Sequence, residues 1–185
     1  MQIFYASRDG QSRKIATHVA GRLAARGITA TPIDLATAQP SAADLARAPL
    51  VVAIMSIRYG KHLAEGLRFV ETFKGLAAPP PLVLASVNLT ARKPGKDTAE
   101  GNAYLRKLIA KNGLKPALAA AFAGRLDYPR YGFFDRHIIR FIMLITGGPT
   151  DPTTVVEYTP WDRVDAFAND IAALVDAGRN EQGGR

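Results

Sequence analysis

Ser7-Arg8-Asp9-Gly10-Gln11-Ser12-Arg13 separates an apolar run, Ile3-Phe4-Tyr5-Ala6, from a segment in which Ile15, Val19 and Leu23 recur every fourth residue. The first pattern predicts a strand and the second a helix. A strand, a tight loop rich in hydroxyls and a helix start is the arrangement with which α/β proteins hold a phosphate. The helix N-terminus supplies unpaired N–H groups and roughly half a positive charge. Ser7 and Ser12 add hydroxyl donors, and Gly10 lets the backbone curl round an anion. Neither G-x-G-x-x-G nor G-x-x-x-x-G-K-[ST] is present, so the dinucleotide fingerprint and the P-loop both fail. That leaves a mononucleotide such as FMN as a leading candidate. For this loop alone, an ordinary capped helix after a surface turn is the alternative.

Working outward, apolar runs predict strands over residues 1–6, 29–35, 50–56, 81–89 and 118–123. Helices are predicted over residues 11–26, 41–47, 61–73 and 102–112, with Ser41 capping the second. A last helix opens at Thr159-Pro160-Trp161-Asp162. Thr159 is its expected cap, Asp162 closes a capping box, and Gly178 ends it. Strands alternating with helices predict an α/β doubly wound parallel sheet. Five main strands suit the flavodoxin-like order 2-1-3-4-5. Residues 1–178 are read as one domain, with residues 125–154 inserted before the last helix and residues 179–185 as a disordered tail.

With 185 residues the chain is long enough for one such domain, and an apolar share of 48% is that of a globular protein. Cysteine is absent, and His18, His62 and His137 lie far apart. Neither disulfides nor a metal site is expected, so any redox chemistry falls to a bound organic cofactor. The formal net charge of +8 favours anionic partners. Neither a signal peptide nor an apolar run long enough to span a bilayer is expected.

In a doubly wound sheet, ligands bind where the strands end near the switch point. That rule selects three loops: Ser7 to Ser12, Ser56 to His62 and Ser86 to Asn102. In the second, Tyr59 can stack on a flat ring, Gly60 can turn a peptide toward the ring edge, and Arg58 can hold negative charge. In the third, Asn88 can read a ring carbonyl or imide, while Arg92, Lys93 and Lys96 can meet carboxylates. A half-buried surface turn and a solvated basic loop are the alternatives. Ser56 stands where a phospho-accepting receiver domain needs an acid, and G-x-S-x-G is absent. The basic loop carries no interleaved aromatics, so nucleic acid is not an expected partner.

The inserted stretch holds an amphipathic segment over residues 133–146. Phe134, Ile138, Phe141, Ile142 and Ile145 share one face and Arg136, His137 and Arg140 the other, with Met143 and Leu144 flanking. At ~1.5 Å per residue it spans ~21 Å, short of the ~30 Å of hydrocarbon in a bilayer. Such a helix can lie in a membrane interface. Packing on its own domain, or on a second copy in a homo-oligomer, stays open.

Together these segments resemble the flavodoxin-type, quinone-dependent protoporphyrinogen IX dehydrogenase (oxidase) family of bacterial haem biosynthesis. The resemblance rests on Ser7-Arg8-Asp9-Gly10-Gln11, Ser56-Ile57-Arg58-Tyr59-Gly60, Ser86-Val87-Asn88-Leu89, Ala91-Arg92-Lys93-Pro94 and Tyr128-Pro129-Arg130-Tyr131 with Asp135-Arg136. Gly147-Gly148 and Tyr158-Thr159-Pro160-Trp161 also fit. It implies an FMN flavoprotein oxidoreductase that oxidises protoporphyrinogen IX and passes electrons to a membrane quinone, peripherally bound on the cytoplasmic side of the inner membrane. It implies FMN phosphate at Ser7, Arg8, Asp9, Gly10, Gln11 and Ser12. The ring is implied at Ser56, Ile57, Arg58, Tyr59 and Gly60 and at Ser86, Val87, Asn88, Leu89 and Arg92. Substrate or membrane contact falls to Lys93, Arg130, Tyr131, Phe134, Ile138, Phe141 and Ile142. Arg58, His62 and Arg92 are the candidate catalytic residues, and Arg58, Arg92, Lys93 and Arg130 the candidate partners of two propionates. An electron-shuttling flavodoxin and an NAD(P)H:quinone reductase of the same fold are the competing readings.

Overall fold

Two-residue alternation decides which way each strand of the sheet faces. In β1 (Gln2–Ala6), Ile3 and Tyr5 join one apolar layer, while Phe4 and Ala6 join the other. The computed structural model describes residues 1–183. Helix α1 (Gln11–Ala24) leads to β2 (Thr31–Asp34), α2 (Ala42–Arg47) and β3 (Val51–Arg58). A two-residue strand, β4 (Lys61–His62), precedes α3 (Ala64–Lys74), β5 (Leu82–Val87), α4 (Ala103–Asn112) and β6 (Leu118–Phe122). The main strands are parallel in the order β2-β1-β3-β5-β6, the expected flavodoxin-like arrangement. Central β5 is buried throughout and β3 over its first five residues, as strands covered on both faces must be. The more polar β2 lies at an edge.

Helix α1 and the last helix, α6 (Trp161–Gly183), cover one face. Ile15, Val19 and Leu23 pack there with Val164, Phe167 and Ile171. On the other face Leu45, Phe69, Phe73 and Leu105 close over Phe4, Val51 and Leu84.

Three local expectations need correction. The helix predicted from residue 61 starts only at Ala64, because Tyr59 (φ 50°) and Gly60 (φ 76°) turn the chain into a hairpin that pairs Ile57 with His62. Left-handed backbone at both central residues is the tight turn that suits the twist of paired strands. Thr159 does not cap α6. Its hydroxyl donates to the Ala123 carbonyl and accepts from the Gln11 amide, and the Arg163 and Val164 N–H groups bond to the Pro160 carbonyl instead. Nor does Gly178 stop α6, which runs to Gly183, so the predicted tail is helical that far. A glycine inside a helix costs only about 1 kcal/mol against alanine. Residues 184–185 of that tail lie outside the described residues.

The insertion builds its own small core. β7 (Arg125–Asp127) pairs antiparallel with β8 (Val155–Glu157), and between them lie a short turn at Tyr128–Arg130 and α5 (Phe133–Ile145). Helix α5 packs through Ile139 and Met143 onto Leu126, Tyr128 and Tyr131. Met143 is therefore fully buried rather than flanking, and Ile142 turns partly inward. Phe134, Ile138, Phe141 and Ile145 stay exposed, joined by Phe133 and Leu144. The helix ends at left-handed Gly147 (φ 68°), with the Gly148 N–H bonded to the Met143 carbonyl.

Candidate cofactor pocket and active site

The pocket sits where β1, β3 and β5 end, at the sheet's switch point, and the insertion supplies its fourth wall. Gly10 is the N-cap of α1 in left-handed geometry (φ 89°), with no side chain bonded to the first helical amides. Those amides stay open to an anion. The Ser7 and Ser12 hydroxyls are buried and have no hydrogen-bond partner, and Ser12 is 0% exposed. A buried hydroxyl without a partner costs about 1–3 kcal/mol unless a ligand satisfies it. A loop with open amides and two orphaned hydroxyls fits a phosphate.

Ser7, Arg8, Asp9, Gln11 and Ser12 line the pocket, as do Ser56, Ile57, Arg58, Tyr59 and Gly60. So do Val87, Asn88 and Leu89. Gly10 and Ser86 stand just outside the lining, Gly10 as the cap and Ser86 within the polar layer behind it. Tyr131, Ile139, Ile142 and Arg125 close the wall from the insertion, and Thr90, Tyr104 and Gly124 complete it. Sequence reasoning missed Tyr104. It lies early in α4, beside Gly60, and follows Asn102, the end of the third selected loop.

Several side chains proposed as ligand contacts are engaged inside the protein. The Asn88 amide donates to Ser86 Oγ (3.1 Å) and Asn102 Oδ1 (3.3 Å). Its carbonyl accepts from the Ala91 N–H (3.1 Å) and from Asn102 Nδ2 (3.1 Å). Asn88 thus braces the loop after β5 and has no capacity left to read a ring. Gln11 bonds Thr159 and Glu157, leaving its backbone for the anion site. The Ser56 hydroxyl donates to the Ala6 carbonyl at 3.0 Å.

The candidate catalytic residues divide. Arg58 is central: its side chain is 12% exposed, pairs with Asp9 at 2.6 Å and also with Asp135, and lies 5.1 Å from the Tyr131 ring. Tyr59 bonds the same Asp135, so both residues of the hairpin tie α5 to the pocket. Burial raises the Tyr131 phenol above its ordinary range. Arg92 is not part of the pocket lining. Its guanidinium donates to the Leu89 carbonyl (2.7 Å) and reaches Thr146, clasping the C-terminal end of α5. His62 lies behind the pocket, 9% exposed, with Nε2 3.2 Å from Ser86 Oγ. Burial lowers its pKa to about 4, so the ring is neutral near pH 7. Lys93, Arg130, Phe134, Ile138 and Phe141 also stand outside this pocket.

Residues 2–153 match the flavodoxin domain family. Across 94% of its length the chain is 39% identical to the protoporphyrinogen IX dehydrogenase (quinone) of Escherichia coli (strain K12), and it spans 95% of that protein. The chain belongs to this family. A Leishmania major relative of the same name is also 39% identical, over 93% of this chain and 74% of that one. Among solved structures, rubredoxin oxygen:oxidoreductase from the anaerobe Desulfovibrio gigas superposes with a TM-score of 0.57 and 15% identity. It matches 96% of this chain, which spans 36% of that one, and it bears on the fold alone. In this member of the family the flavodoxin core carries the phosphate-type loop, and the insertion supplies an apolar wall to the same pocket.

Proposed function

We propose that this chain is an FMN-dependent oxidoreductase that converts protoporphyrinogen IX to protoporphyrin IX and delivers the electrons to a quinone at a membrane surface. The observation that carries the reading is a nearly full-length match, 39% identity over 94% of the chain, to a protoporphyrinogen IX dehydrogenase (quinone), coinciding with a phosphate-type loop that opens into an apolar-walled pocket. FMN, when bound, supplies the two-electron chemistry that a chain without cysteine lacks. Ser7, Ser12 and the first amides of α1 would hold its phosphate. Tyr59, Tyr131 and Ile142 offer flat and apolar surface for the ring and for the substrate macrocycle. Arg58 lines the pocket, its charge balanced by Asp9 and Asp135, and its pairing with Asp9 would withdraw that carboxylate from the phosphate.

The exposed face of α5 supports membrane seating. Phe134 and Phe141 are 79% and 63% exposed, and Ile138 and Ile145 lie on the same stripe. Among the described residues no helix is long and apolar enough to cross a membrane. Each large apolar side chain moved fully out of water is worth ~1.5–3 kcal/mol. Four exposed ones, each only partly moved out of water, supply several kcal/mol for lying on a lipid surface. The same helix reaches the pocket through Ile139 and Ile142, so a lipid-borne quinone would arrive close to the reacting ring.

Anaerobic mixing of FMN-loaded protein with protoporphyrinogen IX tests the reading. Flavin absorbance should fall as porphyrin fluorescence rises, and an added quinone should restore the flavin colour. Bleaching by NADPH with no response to the porphyrinogen would favour the reductase alternative.

A further inference from the structure

The arginines expected to meet substrate carboxylates are mostly committed elsewhere. Arg58 is neutralised by Asp9 and Asp135, and Arg92 is bound to carbonyls at the end of α5. Lys93 is exposed and lines none of the described pockets at this edge. A different set remains. Arg8, Arg125 and Arg130 line a small cleft beside the main pocket, and the two share Arg8, Asp9, Arg125 and Tyr131 as a common rim. Arg125 pairs with Asp127 at 2.9 Å, and the Asp127 side chain is 9% exposed. Among the described residues Arg8 and Arg130 make no ion pair, and both are exposed. Asp9, the other acid of the cleft, is already held by Arg58.

We propose that Arg8, Arg125 and Arg130 form the dock for the carboxylates of the substrate. The inference rests on the porphyrinogen reading above. With Asp127 matched by Arg125 and Asp9 by Arg58, Arg8 and Arg130 leave a surplus of two positive charges, suited to a dianion. Guanidinium groups match carboxylates in planar, two-point fashion. The adjoining pocket has mainly apolar exposed surface, as a macrocycle requires. The two propionates sit on the arginine rim at the shared edge, and the ring system turns inward past Tyr131. Arg125, braced by Asp127, is fixed in place, while Arg8 and Arg130 close on the ligand.

Titration of the FMN-loaded protein with protoporphyrin IX and with its dimethyl ester, followed by the porphyrin absorption band, tests this. Arg130→Ala should weaken binding of the diacid about tenfold and Arg130→Glu about a hundredfold, while Arg130→Lys, which keeps the charge but not the two-point fork, falls between the unaltered protein and Arg130→Ala. The dimethyl ester should bind more weakly than the diacid and equally to all four proteins. FMN affinity should stay within about twofold throughout, which also reports that the variants fold. Undiminished diacid binding by Arg130→Glu, or ester binding as tight as acid binding, overturns the dock but leaves the porphyrin reading standing. FMN affinity falling in step with porphyrin affinity also overturns it, because the cleft would then serve the cofactor phosphate. If the unaltered protein binds neither porphyrin, the porphyrin reading itself fails and the dock with it.

Discussion

His62 should make the protein lose stability in mild acid, by an amount that its burial sets. The ring is 9% exposed, and burial lowers its pKa from the ordinary 6.5 to about 4. Its folded-state pKa therefore lies below its unfolded one. Above pH 6.5 both states hold a neutral ring and nothing is lost. As pH falls from 6.5 toward 4, the unfolded chain takes up a proton that the native state refuses, and stability drops. At pH 5 the unfolded ring is about 97% protonated and the native ring about 10%, a difference worth about 2 kcal/mol. Below pH 4 the loss levels off at about 3 kcal/mol. Urea denaturation at pH 7.5 and pH 5, with FMN held at one saturating concentration, measures it. Comparison with His62→Gln removes the contribution of every other group. The wild type should lose about 2 kcal/mol more than the variant over this interval, or roughly 4–8 °C in Tm. Equal losses would refute the reasoning, as would an NMR titration of the His62 ring centred near 6.5. A neutral ring behind the pocket also leaves the pH–rate profile of His62→Gln with its limbs unmoved.

Ser12→Ala should act with opposite signs in the two forms of the protein. It removes a buried hydroxyl that has no internal partner, so the flavin-free protein should be unchanged or slightly more stable in thermal unfolding, while FMN affinity measured by calorimetry drops about tenfold. Replacing Phe134, Ile138, Phe141 and Ile145 by Ser should cut sedimentation with anionic liposomes at least tenfold and leave FMN binding and Tm intact, because these side chains lie outside the insertion core. Unchanged liposome binding would reject the lipid face, and a dimer that dissociates in the variant would assign the face to a second copy. Met143→Ser, by contrast, should destabilise by about 2–5 kcal/mol, since Met143 is fully buried.

The sequence by itself determined the sheet, its strand order and the three loops at its switch point. Apolar alternation and fourfold spacing are local patterns, and the geometry of a doubly wound sheet turns them into a site. The geometry of the loop after β1 was legible for the same reason, since Gly10, Ser7 and Ser12 shape it through their own backbone and hydroxyls. Tertiary structure alone decided which polar side chains remain available. Asn88 looks free in the sequence, yet its amide is saturated by Ser86, Ala91 and Asn102, partners up to fourteen residues away. Arg58 and Arg92 look like ligand cations, but Asp9, Asp135 and Thr146 claim them. The rotation of α5 was equally hidden. Its apolar residues extend beyond a single face, so Tyr128 and Tyr131, arriving from the preceding turn, select Ile139 and Met143 as the packed stripe. Periodicity records which residues can be buried. Only the packed chain fixes which hydrogen bonds and charges are already satisfied, because a donor cannot be used twice and its partners come from distant parts of the sequence.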